Sequence, residues 1–249
     1  MTGLPPVTDL ATWQKARDEL LVREKAHTRE GDAIAAERRR LPMVEFDGDV
    51  TVVGADGPVP FRTLFDGRDE LLVYKHMWWD GAPHQGQCEG CTFVPWHFRD
   101  ASYLNARGVS FAIVTTGAWD EVAPFREFMG YTQPWYSVRG VDGPAGGDMG
   151  YFTSYVRDGD RTFLTYSTTG RGFEVVSGTF GLLDMTVRGR GEQWEDTPEG
   201  WPERRHAGWF WRTNADGESS WGEDGRPVPQ WTRPGAGPVT TLGREGHCH

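Results

Sequence analysis

Apolar residues change their spacing along this chain, and each change marks a change of element. Leu10, Trp13, Ala16 and Leu20 recur at helical spacing behind Asp9, a suitable cap. The stretch from Ala33-Ile34-Ala35-Ala36 reads as a second helix that Pro42 stops, so residues 1–42 form a helical extension. After Pro42 the pattern becomes that of strands. Val50–Val53 and Val59–Phe61 flank Gly54-Ala55-Asp56-Gly57, a hairpin signal. Leu71-Leu72-Val73-Tyr74 and Val109–Thr115 are continuous apolar runs of the kind that build buried central strands. Between them lie a polar, Gly- and Pro-containing loop, residues 78–87, and a helix predicted from Cys88 to about Asn105. A helix capped by Asp120 carries Val122, Phe125 and Met129 and closes at Gly130. Residues 134–138 are extended and 141–150 form a loop. A hairpin then turns at Arg157-Asp158-Gly159-Asp160, and residues 173–185 form a last amphipathic helix.

These elements predict an α/β fold: a mixed sheet flanked by helices over residues 43–190. A β-α-β unit followed by an antiparallel hairpin is the thioredoxin-like arrangement. Beyond residue 190 charged residues, Gly, Pro and isolated Trp dominate. Residues 191–249 therefore read as a Trp-rich C-terminal extension, partly disordered for want of apolar side chains.

Charge narrows the function. With 36 acidic against 26 basic residues the net charge is -10, so neither nucleic acid nor an anionic membrane is an expected partner. No stretch approaches the roughly 20 apolar residues of a membrane span, and the N-terminal residues lack a secretory pattern. The expected location is the cytoplasm; the sequence leaves the oligomeric state open.

Three cysteines are too few for a disulfide scaffold, and two of them form one C-x-x-C, Cys88 and Cys91. At a helix start the first sulfur meets unpaired N–H groups and the positive end of the helix dipole, both of which favour the thiolate. Cys88 is the expected nucleophile and Cys91 the resolving thiol, acting on a small-molecule or protein disulfide with no cofactor required. Glu89 opposes thiolate formation by its charge. Pro134 stands in about the right place in the order for the cis-proline that normally faces such a dithiol. A loop-to-helix junction is expected to be accessible.

Two other readings compete. His76, His84, Cys88 and Cys91 combine imidazole with soft thiolate, a donor set suited to copper or zinc, and His247-Cys248-His249 could add to it. Alternatively the two cysteines are small, inert core residues of a binding module. There is no phosphate-binding loop, dinucleotide fingerprint or serine-nucleophile motif.

One set of short motifs carries a family resemblance. These are Arg39-Arg40-Leu41-Pro42, Leu64-Phe65-Asp66-Gly67-Arg68, Glu89-Gly90-Cys91-Thr92, Met129-Gly130-Tyr131 and Pro134-Trp135. Thr165-Tyr166-Ser167-Thr168, Arg171-Gly172, Gly178-Thr179-Phe180 and Leu183-Asp184 complete it. Over about residues 10–190 the chain resembles the bacterial thioredoxin-like family catalogued as domain of unknown function 899. The resemblance implies the thioredoxin-like fold and assigns no activity. Thr92 stands where members commonly have Ser, and the C-terminal tail departs from the usual ending.

Overall fold

The computed structural model describes residues 4–190 and 195–196; the expected C-terminal extension and its His247-Cys248-His249 motif fall almost wholly outside the described residues. The chain divides into two units, one formed mainly by the residues up to Met43 and the other beginning at Val44.

Among its described residues the first unit holds a single helix, α1 (Leu10–Arg38), where the sequence suggested two. Asp9 caps it as expected, accepting from Thr12 N–H at 2.9 Å. Residues 21–32 contain no proline and only one glycine, so nothing breaks the helix between its two apolar stretches. No helix of the described residues is long and apolar enough to cross a membrane.

The second unit is built on one eight-stranded sheet with the order β1-β8-β7-β4-β5-β6-β2-β3. In chain order the strands are β1 (Val44–Phe46), β2 (Thr51–Gly54), β3 (Gly57–Pro60), β4 (Glu70–His76), β5 (Val109–Thr115), β6 (Trp135–Ser137), β7 (Phe152–Asp158) and β8 (Arg161–Thr168). The helices are α2 (Glu89–His97), α3 (Ser102–Asn105), α4 (Trp119–Met129), α5 (Gly143–Gly146) and α6 (Gly178–Asp184). The centre is the expected β-α-β unit: β4 and β5 run parallel, with Leu72 opposite Phe111 and Tyr74 opposite Ile113. On its other side β4 pairs antiparallel with β7, and β7 with β8. This is the thioredoxin-like arrangement. The N-terminal hairpin β2–β3 extends the sheet beyond β6, through Val53 opposite Ser137.

Alternation along the central strands separates two cores. Tyr74, Phe111 and Ile113 share one with Cys88, Cys91, Phe93, Val122, Phe125 and Phe180. Leu71, Val73, Ala112 and Val114 share the other with Phe61, Phe65 and Tyr155. The dithiol therefore lies within the packed layer between the sheet and α2, α4 and α6.

Two expected helices are shorter than their periodicity suggested. The one opened by the dithiol ends at His97, and α3 is separate from it. Pro95 lies inside α2 and cannot donate an N–H to the Cys91 carbonyl, which weakens the last turns. Gln133 compensates from outside, its amide donating to the Pro95 carbonyl at 3.2 Å and to that of Phe98. The C-terminal helix is likewise divided into a 3-10 stretch, Gly170–Val176, and α6, with Ser177 between them. Asp120 lies in the first turn of α4, whose N-cap is Ala118; Gly130, at φ 63°, closes the helix as expected.

Candidate functional site

β4 delivers the site. Its seven residues end at His76, and the chain then runs through Met77–Gln87 before Cys88 caps α2. Both cysteines are thiols. Cys88 Sγ accepts the Cys91 N–H at 3.4 Å, and Cys91 Sγ accepts the Met77 N–H at 3.3 Å. Each sulfur is thus met by a backbone donor, the kind of group that stabilises negative charge on it. The first turn is held rigidly: Thr92 N–H and Oγ1 both donate to the Cys88 carbonyl, at 2.8 and 2.6 Å. Tyr131, from the Met-Gly-Tyr motif, donates its hydroxyl to the Thr92 carbonyl at 3.1 Å. Thr92 can do this work because its side chain carries a hydroxyl.

The expectation of an accessible dithiol is not met. Cys88 is 2 % exposed and Cys91 1 %, and Glu89 between them is 1 % exposed. The loop that precedes the cysteines folds back instead of standing away. Met77, Trp78 and Trp79 pack on the same core cluster as the sulfurs. The Gln87 side chain binds the loop from within, accepting from Trp79 N–H at 3.1 Å and donating to the Trp79 carbonyl at 3.0 Å. Nothing in the composition of residues 78–87 signals this closure; the pairing of one buried Gln with the backbone eight residues away is visible only in three dimensions.

Pro134 is not opposite the dithiol. No peptide bond among the described residues is cis, so the Gln133–Pro134 bond is trans. Pro134 leads into β6, which pairs with β5 and is separated from β4 by it. The strand antiparallel to β4 is β7, and its start is Gly150-Tyr151. Sequence order misplaced the proline because β6 inserts a strand before the hairpin. Gly150, at φ 85°, has room for no more than a close contact: an added Cβ would stand 3.0 Å from Met77 Cε.

The proposed metal ligands do not converge. His76 is fully buried and its Nδ1 lies 2.5 Å from the Met77 carbonyl. Its ring packs on Trp135 and Phe125, with centroids 5.1 and 5.8 Å apart. His84 packs on Phe128 and Phe125, at 4.9 and 5.9 Å, and burial holds its pKa below the ordinary value. Among the described residues no three His, Cys, Asp or Glu side chains gather closely enough to hold an ion. The four-residue set therefore does not fit copper or zinc.

The sequence reading missed Lys75. It points to the opposite face of β4, is 2 % exposed, and donates to the carbonyls of Pro144 and Gly147 at 2.7 and 2.6 Å. Its backbone pairs with the start of β7 as well, through Tyr151 O and Gly150 N–H. Lys75 thus fixes the 143–151 connection beside Met77. The only hint in the sequence is a cation at the end of an apolar strand.

No curated protein matches this chain. Among solved structures it is similar to a peroxidoxin, BcpB, from Mycobacterium tuberculosis, at 18% identity and a TM-score of 0.35, with 52% of this chain and 82% of that one covered. It is also similar to a candidate thiol:disulfide interchange protein, DsbE, from Chlorobium tepidum, at 16% identity and a TM-score of 0.35, covering 55% and 93%. Similarity at this level says nothing of activity. The family model described as bacterial protein of unknown function, DUF899, matches residues 2–216, and the chain belongs to that family.

Proposed function

We propose that the protein is a thiol-disulfide oxidoreductase in which Cys88 is the nucleophile and Cys91 the resolving thiol, working in the reducing cytoplasm without a cofactor. The observation that supports this best is the pair of backbone donors: Cys91 N–H on Cys88 Sγ and Met77 N–H on Cys91 Sγ, at the head of a helix that follows a central parallel strand. The Cys88 thiolate attacks one sulfur of a substrate disulfide, and the other sulfur leaves as a thiolate. Cys91, losing its proton, then attacks the Cys88 sulfur and releases the second substrate thiolate. The protein is left with a Cys88–Cys91 disulfide and the substrate with two more electrons; a thiol reductant restores the pair.

Replacement of each cysteine tests the assignment. Cys88→Ser abolishes disulfide reduction, and Cys91→Ser accumulates a mixed disulfide on Cys88 that peptide mapping distinguishes from any adduct on Cys248. Undiminished reduction by Cys88→Ser would overturn the reading.

A further inference from the structure

Burial of both sulfurs raises the question of how a substrate reaches them. We propose that Met77–Gln87 is a strap closed over the dithiol, held by Gln87, and that it restricts exchange to low-molecular-weight disulfides. The substrate restriction rests on the oxidoreductase reading; the strap does not.

The strap is anchored at one sulfur and at the residue beside the other. It begins at Met77, whose N–H is on Cys91 Sγ, and ends at Gln87, next to Cys88. Three polar fastenings are among the contacts that hold what lies between. The Gln87 amide takes both backbone groups of Trp79 and reaches the Ala82 carbonyl at 3.4 Å. The Glu121 carboxylate on α4 accepts from Trp78 Nε1 at 3.0 Å and from Gly81 N–H at 3.3 Å. Asp80 pairs with Arg139, but both side chains are exposed, so this third fastening adds little. Trp78 lies so close over Gly117 that a Cβ there would stand 2.6 Å from its ring.

The Gln87 bonds and the Trp78–Glu121 bond are partly sheltered, and among the described residues no covalent or metal tie reinforces them. The strap also rests on the packing of Trp78, Trp79 and His84 against the core, and each hydrogen bond adds only a small net contribution, so removing one fastening shifts the opening equilibrium without breaking a bond of the sheet. A folded protein presents its disulfide on a broad surface and needs the whole strap displaced. A small disulfide needs only a partial opening at Trp78 and Trp79. The exchange itself is that given above: the small disulfide is reduced to two thiols and the protein dithiol is oxidised. Gln87 touches no reacting atom and acts as a positioning residue.

The test compares the wild type with Gln87→Ala and with Glu121→Ala, which removes the second fastening from a different element and keeps the experiment decisive if Gln87→Ala folds poorly. Iodoacetamide labelling of Cys88 and Cys91 in the reduced protein, followed by peptide mass so that Cys248 is counted apart, reads strap opening without any turnover. It should accelerate about tenfold in either variant, equivalent to about 1.4 kcal/mol in the opening equilibrium. Reduction of cystine and of insulin reads substrate choice: the wild type should reduce cystine and spare insulin, and the variants should gain on insulin. Labelling rates equal in all three proteins would overturn the strap. Comparable reduction of both substrates by the wild type would overturn the restriction. Faster labelling with no reduction of either substrate by any protein would instead remove the oxidoreductase reading, and the restriction with it, while leaving the strap.

Discussion

Removing the Lys75 ammonium should change the pH dependence of stability in a defined direction. Burial lowers its pKa from 10.5 to about 8, with Asp148 opposing the shift. Below about pH 8 the lysine is charged in both folded and unfolded chains, and folding bears the full cost of burying it. Between about pH 8 and 10.5 the unfolded chain binds more protons than the folded one, so stability rises with pH. Above 10.5 both forms are neutral and the cost is gone. The displacement corresponds to roughly 3 kcal/mol at most. Lys75→Met lacks this contribution, whereas titrating groups that touch neither Lys75 nor its partners are common to both proteins and cancel; Tyr155, which shares the Pro144 carbonyl, is held well above its ordinary pKa by burial and stays neutral in the folded protein over this range. Urea unfolding of wild type and Lys75→Met across this range measures the difference. The wild type should gain up to roughly 3 kcal/mol on the variant from pH 7 to 10.5. Parallel curves would refute a buried ammonium at this position.

Three further substitutions address the frame of the site. Gly146→Ala should lower stability by about 2 kcal/mol or more, because its Cβ would fall 1.8 Å from the Val141 carbonyl oxygen; an unchanged urea midpoint contradicts this. Tyr131→Phe should cost about 1 kcal/mol by depriving the Thr92 carbonyl of its donor, again read from the urea midpoint. Glu45→Gln breaks an exposed pair with Arg161 across β1 and β8, and its effect on the urea midpoint should be small and shrink with added salt. A larger, salt-independent loss would mean that this edge matters more than its exposure suggests.

The sheet's central strands were legible because Leu71–Tyr74 and Val109–Thr115 are continuous apolar runs, and burial on both faces demands that composition. The β7–β8 hairpin was legible from its turn residues. Strand β1 has only three residues and depends on β8 for its pairing, so no local pattern could reveal it. Helix limits failed where a tertiary contact replaces local bonding, as Gln133 does at the end of α2. For the site, spacing and order located Cys88 and Cys91, since a C-x-x-C at a strand-to-helix junction is a local feature. Which residues face that dithiol is a question of sheet order, and the insertion of β6 moved Pro134 away and brought Gly150-Tyr151 to the start of the neighbouring strand. The burial of the sulfurs depends on Gln87, Trp79 and Glu121 meeting through space, and no periodicity encodes that.

Redox titration of the folded protein tests the central claim most directly. The reduced chain is equilibrated with graded ratios of oxidised to reduced glutathione, and the Cys88 and Cys91 thiols are counted alongside intact mass. With Cys248 replaced by Ser, so that no third thiol takes up glutathione, the account predicts a reversible two-electron transition in which both thiols disappear together and the chain loses the mass of two hydrogens, with the fold retained. Thiols that stay reduced at every ratio until the protein unfolds would contradict it and leave Cys88 and Cys91 as inert members of the core.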